Sequence, residues 1–247
     1  MERDFYNTYF EVEKSHWWFR VRRNIIFWIF SKYKIRKDAK VLDYGCGSGF
    51  LVGEFQEKGF DAFGVDIFKE AIEFGSGRGI NNLSQESGVK VNFSDSYFDV
   101  ILAMDVIEHI EDDKSAIKEI ERLLKPGGYL IITVPAYQWM WGVQDEVAHH
   151  FRRYNVSSLL KIVDSSSFSV LKKSYFNTFL FFPIVAVRFV SKLFKIKERE
   201  SDFDINGKLA NFLFYLIFNL ESKFLKFIDF PFGVSILIVL GKTDSGK

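Results

Sequence analysis

Residues 41–49, Val41-Leu42-Asp43-Tyr44-Gly45-Cys46-Gly47-Ser48-Gly49, decide the fold. An apolar run ends in Asp43, glycines follow at 45, 47 and 49, and an amphipathic segment opens at about Phe50. A strand that turns this sharply into a helix needs glycine where a Cβ would obstruct the backbone and where a ligand must approach the main chain. On either side of the loop, KVLDYG, LVGEFQEKG, DAFGVD and KEAIEFGSG alternate short apolar runs with amphipathic stretches, and FDVILAMD, DDKSAIKEIERLL and YLIITVP continue the alternation. That pattern predicts a parallel sheet wrapped by helices. VILA and LIIT are apolar without interruption because both faces of such a sheet are covered. Pro126-Gly127-Gly128 reads as the stop of the helix before the YLIITVP strand.

The flanks are helical. Residues 2–14 and 16–33 predict two helices, with Ser15 placed to cap the second. After the core, residues 136–155 form a polar and aromatic connection, 157–166 a short helix and 168–176 a strand. Two Phe-rich helices follow, separated by the charged stretch 195–207, read as an exposed linker, and the last strand is GVSILIVLG. The expected organisation is an N-terminal helical cap (1–36), a core (37–175 and 231–247) and a helical insertion or lid (176–230) over one end of it.

Composition narrows the function classes. The 247 residues are 48% hydrophobic and 26% charged, ordinary globular usage that sets aside disordered and fibrous chains. Lys+Arg at 33 against Asp+Glu at 32 gives a net charge of +1, so there is no field to gather nucleic acid, and no nucleic-acid partner is expected. A single cysteine makes neither an internal disulfide nor a cysteine zinc cluster, and the N-terminus is too charged for a signal peptide. A reducing, cytoplasmic setting is expected. The 29 Phe are unusual, and many lie in FNTFLFFPIVAV and LANFLFYLIFNL. Both runs are shorter than the about 20 residues of a membrane-spanning helix. They read as buried helices, or as a surface that meets lipid at the inner face of a membrane, a greasy acceptor or a second copy of the chain.

The glycine spacing bears on the ligand. A dinucleotide fingerprint runs G-x-G-x-x-G, whereas here the pattern is G-x-G-x-G with Phe50 in the sixth place, which weakens a pyrophosphate or dehydrogenase reading. Asp43 would repel a diphosphate but suits an ammonium group. Asp66 ends the next strand at the place where an acidic side chain grips a ribose diol. Ribose plus ammonium without phosphate describes S-adenosyl-L-methionine.

VLDYGCGSG, GVDIF, FDVILAMDVIEHI and LKPGGYLIITVPA, in this order over about residues 39–135, resemble the class I S-adenosylmethionine-dependent methyltransferases. EVEKSHWWFRVRR, PAYQWMWGVQDEVAHHFRRY and SYFNTFLFFPIVAVR are similar to a bacterial and archaeal HWWF subgroup often found with cell-envelope and glycan genes. The resemblance implies a Rossmann-like α/β fold with a seven-stranded sheet, its last strand antiparallel, and helices on both faces. It implies that Asp43, Gly45, Cys46, Gly47 and Gly49 back the methionine part of the donor, that Asp66 holds the ribose with Ile67 beneath the adenine, and that Met104 and Asp105 line the pocket. An acidic contact to the adenine amino group has no clear place; Gln85 and Glu86 are the candidates.

The resemblance also implies an N-terminal helix that closes over the donor, which makes Trp18, Arg20 and Arg23 of the HWWFRVRR helix candidate donor contacts. The remaining candidates come from local chemistry. Cys46 has no base partner and reads as a small loop residue rather than a nucleophile. His109 lies in Asp105-Val106-Ile107-Glu108-His109, but the spacing lacks the i, i+4 histidine pair of a helix-borne zinc site, and no metal is expected. His149 and His150 lie where the acceptor would face the donor, and one of them is a candidate base. With Arg152 and Arg153 they could instead form a face for an anionic acceptor.

The function expected is methyl transfer from S-adenosyl-L-methionine, leaving S-adenosyl-L-homocysteine, to a small-molecule, glycan or lipid-linked acceptor, with O-methylation favoured. The rival readings are a membrane-associated enzyme acting on a polyprenyl-linked or quinone-like acceptor, and a non-catalytic nucleotide-binding protein of the same fold.

Overall fold

The computed structural model describes residues 3–193 and 207–243. At its centre a seven-stranded sheet runs β3-β2-β1-β4-β5-β7-β6. The strands are β1 (Lys40–Tyr44), β2 (Asp61–Asp66), β3 (Leu83–Gln85), β4 (Phe98–Met104), β5 (Leu124–Pro135), β6 (Phe168–Phe176) and β7 (Ser235–Lys242). Strands β3 to β5 pair in parallel, and β7 lies antiparallel between β5 and β6. This is the expected Rossmann-like sheet with its last strand reversed.

Helices cover both faces. Successive side chains of a strand point to opposite sides. On β4, Ile101 and Ala103 join a core with Ile117 and Ile120 of α5 (Asp113–Leu123) and Leu159 of α7 (Val156–Lys161). Val100, Leu102 and Met104 join the other core, with Val21, Ile25 and Ile29 of α2 (Trp17–Lys32), Val52 and Phe55 of α3 (Phe50–Glu57), and Phe218 of α9 (Lys208–Phe224). Two-sided burial is why these strands carry no polar alternation.

Some boundaries depart from expectation. Ser15 does not cap α2: it ends α1 (Arg3–Ser15), and its hydroxyl donates to the Glu11 carbonyl at 2.7 Å. The cap is His16, in extended backbone, whose Nδ1 accepts from the Trp18 amide at 3.3 Å. Burial pushes the His16 pKa down to about 4, so the ring stays neutral and keeps the lone pair this bond needs. The Pro-Gly-Gly segment does not stop α5 either. Leu124 is already extended and pairs with Phe98, so Pro126 and both glycines lie inside β5, at a register shift. Proline disfavours helical geometry at the residue before it, which here is Lys125.

The outer helices surround the end of the sheet that carries the glycine loop. Phe10 of α1 sets its ring edge-on to Phe50 of α3 (5.0 Å) and Phe74 of α4 (Lys69–Gly77; 5.9 Å). α2 packs on α9: the Trp17 amide donates to Asn211, Arg20 lies over the Tyr215 ring, and Trp18 lies parallel to Phe218 and Phe176. Phe181, at the start of α8 (Phe181–Leu193), packs against Tyr137 and Phe232. Nearly all of the charged linker expected at 195–207 lies outside the described residues. Among the described residues, no helix is long and apolar enough to cross a membrane.

Candidate functional site

Beyond β1 the chain turns through Gly45, Gly47 and Gly49, with φ of 81°, 54° and 77°. A Cβ on Gly45 would stand 2.3 Å from Val106 Cγ2, and one on Gly49 would stand 2.8 Å from Leu83 Cδ1. The loop's amides are anchored to β2: Gly45 and Cys46 donate to the Val65 carbonyl, and Gly47 donates to Asp66 Oδ2 at 2.8 Å. Asp66 Oδ1 accepts from the Phe68 amide at 3.0 Å, so two backbone bonds fix this carboxylate, with Ile67 exposed beside it. The loop amides thus bind Val65 and Asp66 rather than Asp43. Asp43 is buried, and burial pushes its pKa up to about 7 against the pull of Arg22. Burial likewise lifts the Cys46 thiol well above its usual range, helped by Asp43 and Asp66, which leaves it a packing residue.

Met104 ends β4 and Asp105 follows it. Asp105 takes a left-handed backbone (φ 55°), accepts from Thr133 Oγ1 at 3.1 Å and forms an ion pair with Arg22. Arg22 is the residue that sequence reasoning missed. Arg20 turns to α9, and Arg23 is used in fastening helices: it donates to the Glu13 and Lys14 carbonyls, pairs with Glu54 at 3.3 Å and covers the Phe50 ring. Trp18 packs flat against Phe176 and Phe218. The available signal was spacing: Phe19, Arg22, Ile26 and Ile29 follow the helical period, and the other members of that stripe are buried. A cation in an apolar stripe needs a buried partner. Glu13, on α1, was also missed. Its Oε2 accepts from Ser48 Oγ of the glycine loop at 3.1 Å, and burial pushes its pKa up to about 7 despite Arg22.

A second group of titratable side chains lies beyond β4 and β5. Glu108 is fully buried with no hydrogen-bond partner on either oxygen among the described residues, and burial, reinforced by Asp105, raises its pKa strongly. His109 meets the His150 ring at 4.5 Å, edge to face. Burial first, then the neighbouring His150, pushes His109 down to about 4, so its imidazole is neutral near pH 7. One donor atom from each of Glu108, His109 and His150 lies within 4.8 Å of the others. These are donor types that a divalent cation accepts. The i, i+4 histidine rule that argued against a metal could not foresee His150 arriving from a distant loop.

His150 Nδ1 lies 2.8 Å from Asp145 Oδ1. Asp145, on α6 (Val143–Val147), is fully buried and also accepts from Arg153 Nε at 2.7 Å and the Gly142 amide at 2.9 Å. Burial alone would raise its pKa, but the bonds from His150 and Arg153 hold it down at about 2. An ionised carboxylate can only accept, so Nδ1 donates to Asp145 and Nε2 is the ring's other nitrogen. Of the two candidate bases only His150 is held this way; His149 is exposed, with φ 56°. Arg152 pairs with Asp113 at 2.8 Å and Arg153 with Asp145, so the two arginines considered for an anionic acceptor each hold an acid of the fold. Phe151, whose amide donates to the Glu108 carbonyl, stands exposed beside this group.

Residues 16–173 match the sequence profile of a methyltransferase-domain family. The chain belongs to this methyltransferase family. The methyltransferase is 32% identical over 114 residues to a ubiquinone biosynthesis O-methyltransferase of Rickettsia felis, covering 42% of this chain and 45% of that one. A protein of the same name from Idiomarina loihiensis is 26% identical over 190 residues, covering 69% and 73%. The methyltransferase spans about half the length of the first of the curated relatives it matches. Its fold is that of a SAM-dependent methyltransferase from Archaeoglobus fulgidus, with TM-score 0.58, 19% identity and coverage of 89% and 94%. The site fits S-adenosylmethionine on its own geometry. Its glycine turn has no room for a Cβ at Gly45 or Gly49, Asp66 is oriented at the end of β2, and the raised proton affinity of buried Asp43 is relieved by a cation.

Proposed function

We propose that this methyltransferase transfers the methyl group of S-adenosyl-L-methionine to an oxygen of a small-molecule acceptor, leaving S-adenosyl-L-homocysteine. The observation that carries the O-methylation reading is the Asp145–His150 pair, in which a buried carboxylate fixes the orientation of an imidazole. The names of the curated relatives support the same chemistry.

When bound, the donor supplies an electrophilic methyl group on a sulfonium. Asp66 would hold the ribose hydroxyls, Ile67 would contact the adenine, and Asp43, Met104, Asp105 and the glycine loop would line the methionine end. Arg23 and Trp18 keep the N-terminal helices closed over that pocket, which excludes water. Nε2 of His150 would take the proton of the acceptor hydroxyl as the methyl group passes from sulfur to that oxygen, and Asp145 would stabilise the imidazolium. A donor that is already activated leaves alignment as the main task, and positioning supplies up to about 7–11 kcal/mol in the best cases.

The acceptor reading extends to a lipid-linked or quinone-like molecule because of α9. Leu209, Phe212, Leu213, Leu216, Leu220 and Phe224 recur at helical spacing and are all exposed, beside exposed Lys208, Lys223 and Lys226. An outward apolar face rimmed by lysines suits an anionic membrane surface.

Incubation with the donor and a panel of phenolic, glycan and polyprenyl-linked acceptors, read by mass, tests the reading. A product heavier by one methyl group on oxygen is expected. Donor binding without transfer to any hydroxyl acceptor would favour the non-catalytic alternative. Flotation with anionic vesicles tests the membrane contact: the full chain floats, and a variant with Leu213, Leu216 and Leu220 changed to Ser stays down. A chain that dimerises in solution and does not float would assign the α9 face to a second copy.

A further inference from the structure

Helix α1 brings an acidic side chain to the glycine loop. Glu13 is half-buried, and its Oε2 accepts from Ser48 Oγ at 3.1 Å. The contact is held from two sides: Phe10, one turn earlier, packs edge-on to Phe50 and Phe74, and Arg23 donates to the Glu13 and Lys14 carbonyls where the helix ends. The charged groups that act on Glu13 are Arg22 and Arg23 from α2 and Asp43 from β1. Arg22 is already paired with Asp105, and Arg23 with Glu54. Half-buried Glu13 and buried Asp43 therefore lie at the loop and share Arg22, which also pairs with Asp105, as their strongest nearby positive charge. A site built this way favours an incoming cation.

We propose that Glu13 binds the α-ammonium group at the amino-acid end of the methyl donor, making α1 part of the donor site as well as its cover. This rests on the S-adenosylmethionine reading above. Asp43 approaches the same group from β1, and Ser48 holds the Glu13 carboxylate in place. The raised proton affinities of both acids agree: a cation between them lowers both, so binding near pH 7 releases protons.

Calorimetry on the full chain and on Glu13→Gln tests this with two ligands. S-Adenosylhomocysteine has the amino-acid end; 5′-methylthioadenosine has the same adenosine and thioether but lacks it. The substitution should weaken S-adenosylhomocysteine about tenfold or more, the scale of a charge-assisted hydrogen bond, and leave 5′-methylthioadenosine within about twofold. Repeating the titration in buffers of different ionisation enthalpy should show fewer protons released by the variant. Equal weakening of both ligands would mean that Glu13 only closes α1, and no weakening of either would mean that it touches neither; each overturns the proposal. If the parent binds neither ligand, the donor reading itself fails, a result distinct from the other two. Retained 5′-methylthioadenosine binding reports that the variant is folded.

Discussion

Arg22 on α2 closes an ion pair with Asp105 at the end of β4, across 83 residues of sequence. The pair ties the N-terminal helices to the strand end where donor and acceptor must meet. Both side chains are largely shielded, 12% and 25% exposed, so the pair is stronger than a surface contact. Replacing Arg22 with Met should cost about 1–3 kcal/mol by leaving Asp105 without its counter-charge. At this chain length each kcal/mol lowers the melting temperature by about 2–4 °C. Donor affinity should fall with it, and parent-like melting and affinity would show that the pair closes nothing.

Asp43 should make stability depend on pH in the cofactor-free protein. Its folded pKa is raised to about 7 from the ordinary 3.8, so the folded state holds the proton more tightly. That contribution is present in full below the unfolded value and is lost as pH rises through the folded one. The melting temperature of Asp43→Asn, measured relative to the parent, should therefore climb between about pH 5 and 7.5. His109 acts in the opposite sense in both proteins, because its pKa is lowered to about 4, and it cancels in the comparison. A difference that stays flat across this range would exclude the assignment.

His150→Gln should lower kcat by about 10²–10⁴, the range of a general base, with donor affinity unchanged. Asp145→Asn should lower kcat as well, because an amide no longer fixes the imidazole proton on Nδ1. His149→Gln should leave kcat near the parent value. Equal losses from both histidine variants, read in single-turnover assays, would contradict the selection of His150.

Gly45→Ala should abolish donor binding and destabilise the fold, since the backbone is left-handed (φ 81°) and the new carbon would stand 2.3 Å from Val106 Cγ2. Gly59→Ala is the control: its φ is 84°, but nothing lies within 4 Å of the added carbon. It should lose only the about 1–2 kcal/mol of a left-handed Cβ and keep donor binding. Thermal melts and donor titration separate the two.

Period and punctuation made the core legible. The alternation around VLDYGCGSG announced β1, its loop and α3, and FSVLKKSYF announced β6 residue for residue. Period reports which face a residue occupies, not which group it meets there. Arg22 lay in the buried stripe of α2, yet nothing local named Asp105 as its partner. The preference for His150 over His149 rests on Asp145, five residues earlier on α6, whose side chain meets the His150 ring. The boundary between α1 and α2 moved by one residue because a buried imidazole can cap a helix as a hydroxyl does. β3 went unseen because three residues, Leu83–Gln85, are too few to show a period.

The placement of β7 has a consequence for biosynthesis. β6 leaves the ribosome well before β7, yet its ladder in the sheet is with β7 alone, and β5 on the far side also waits for that strand. Until residues 235–242 emerge, β5 and β6 both lack the partner that β7 becomes, an invitation to mispairing in the nascent polypeptide. A nonsense codon shortly before Ser235 would spare the donor-side residues described here and still yield a protein prone to aggregate.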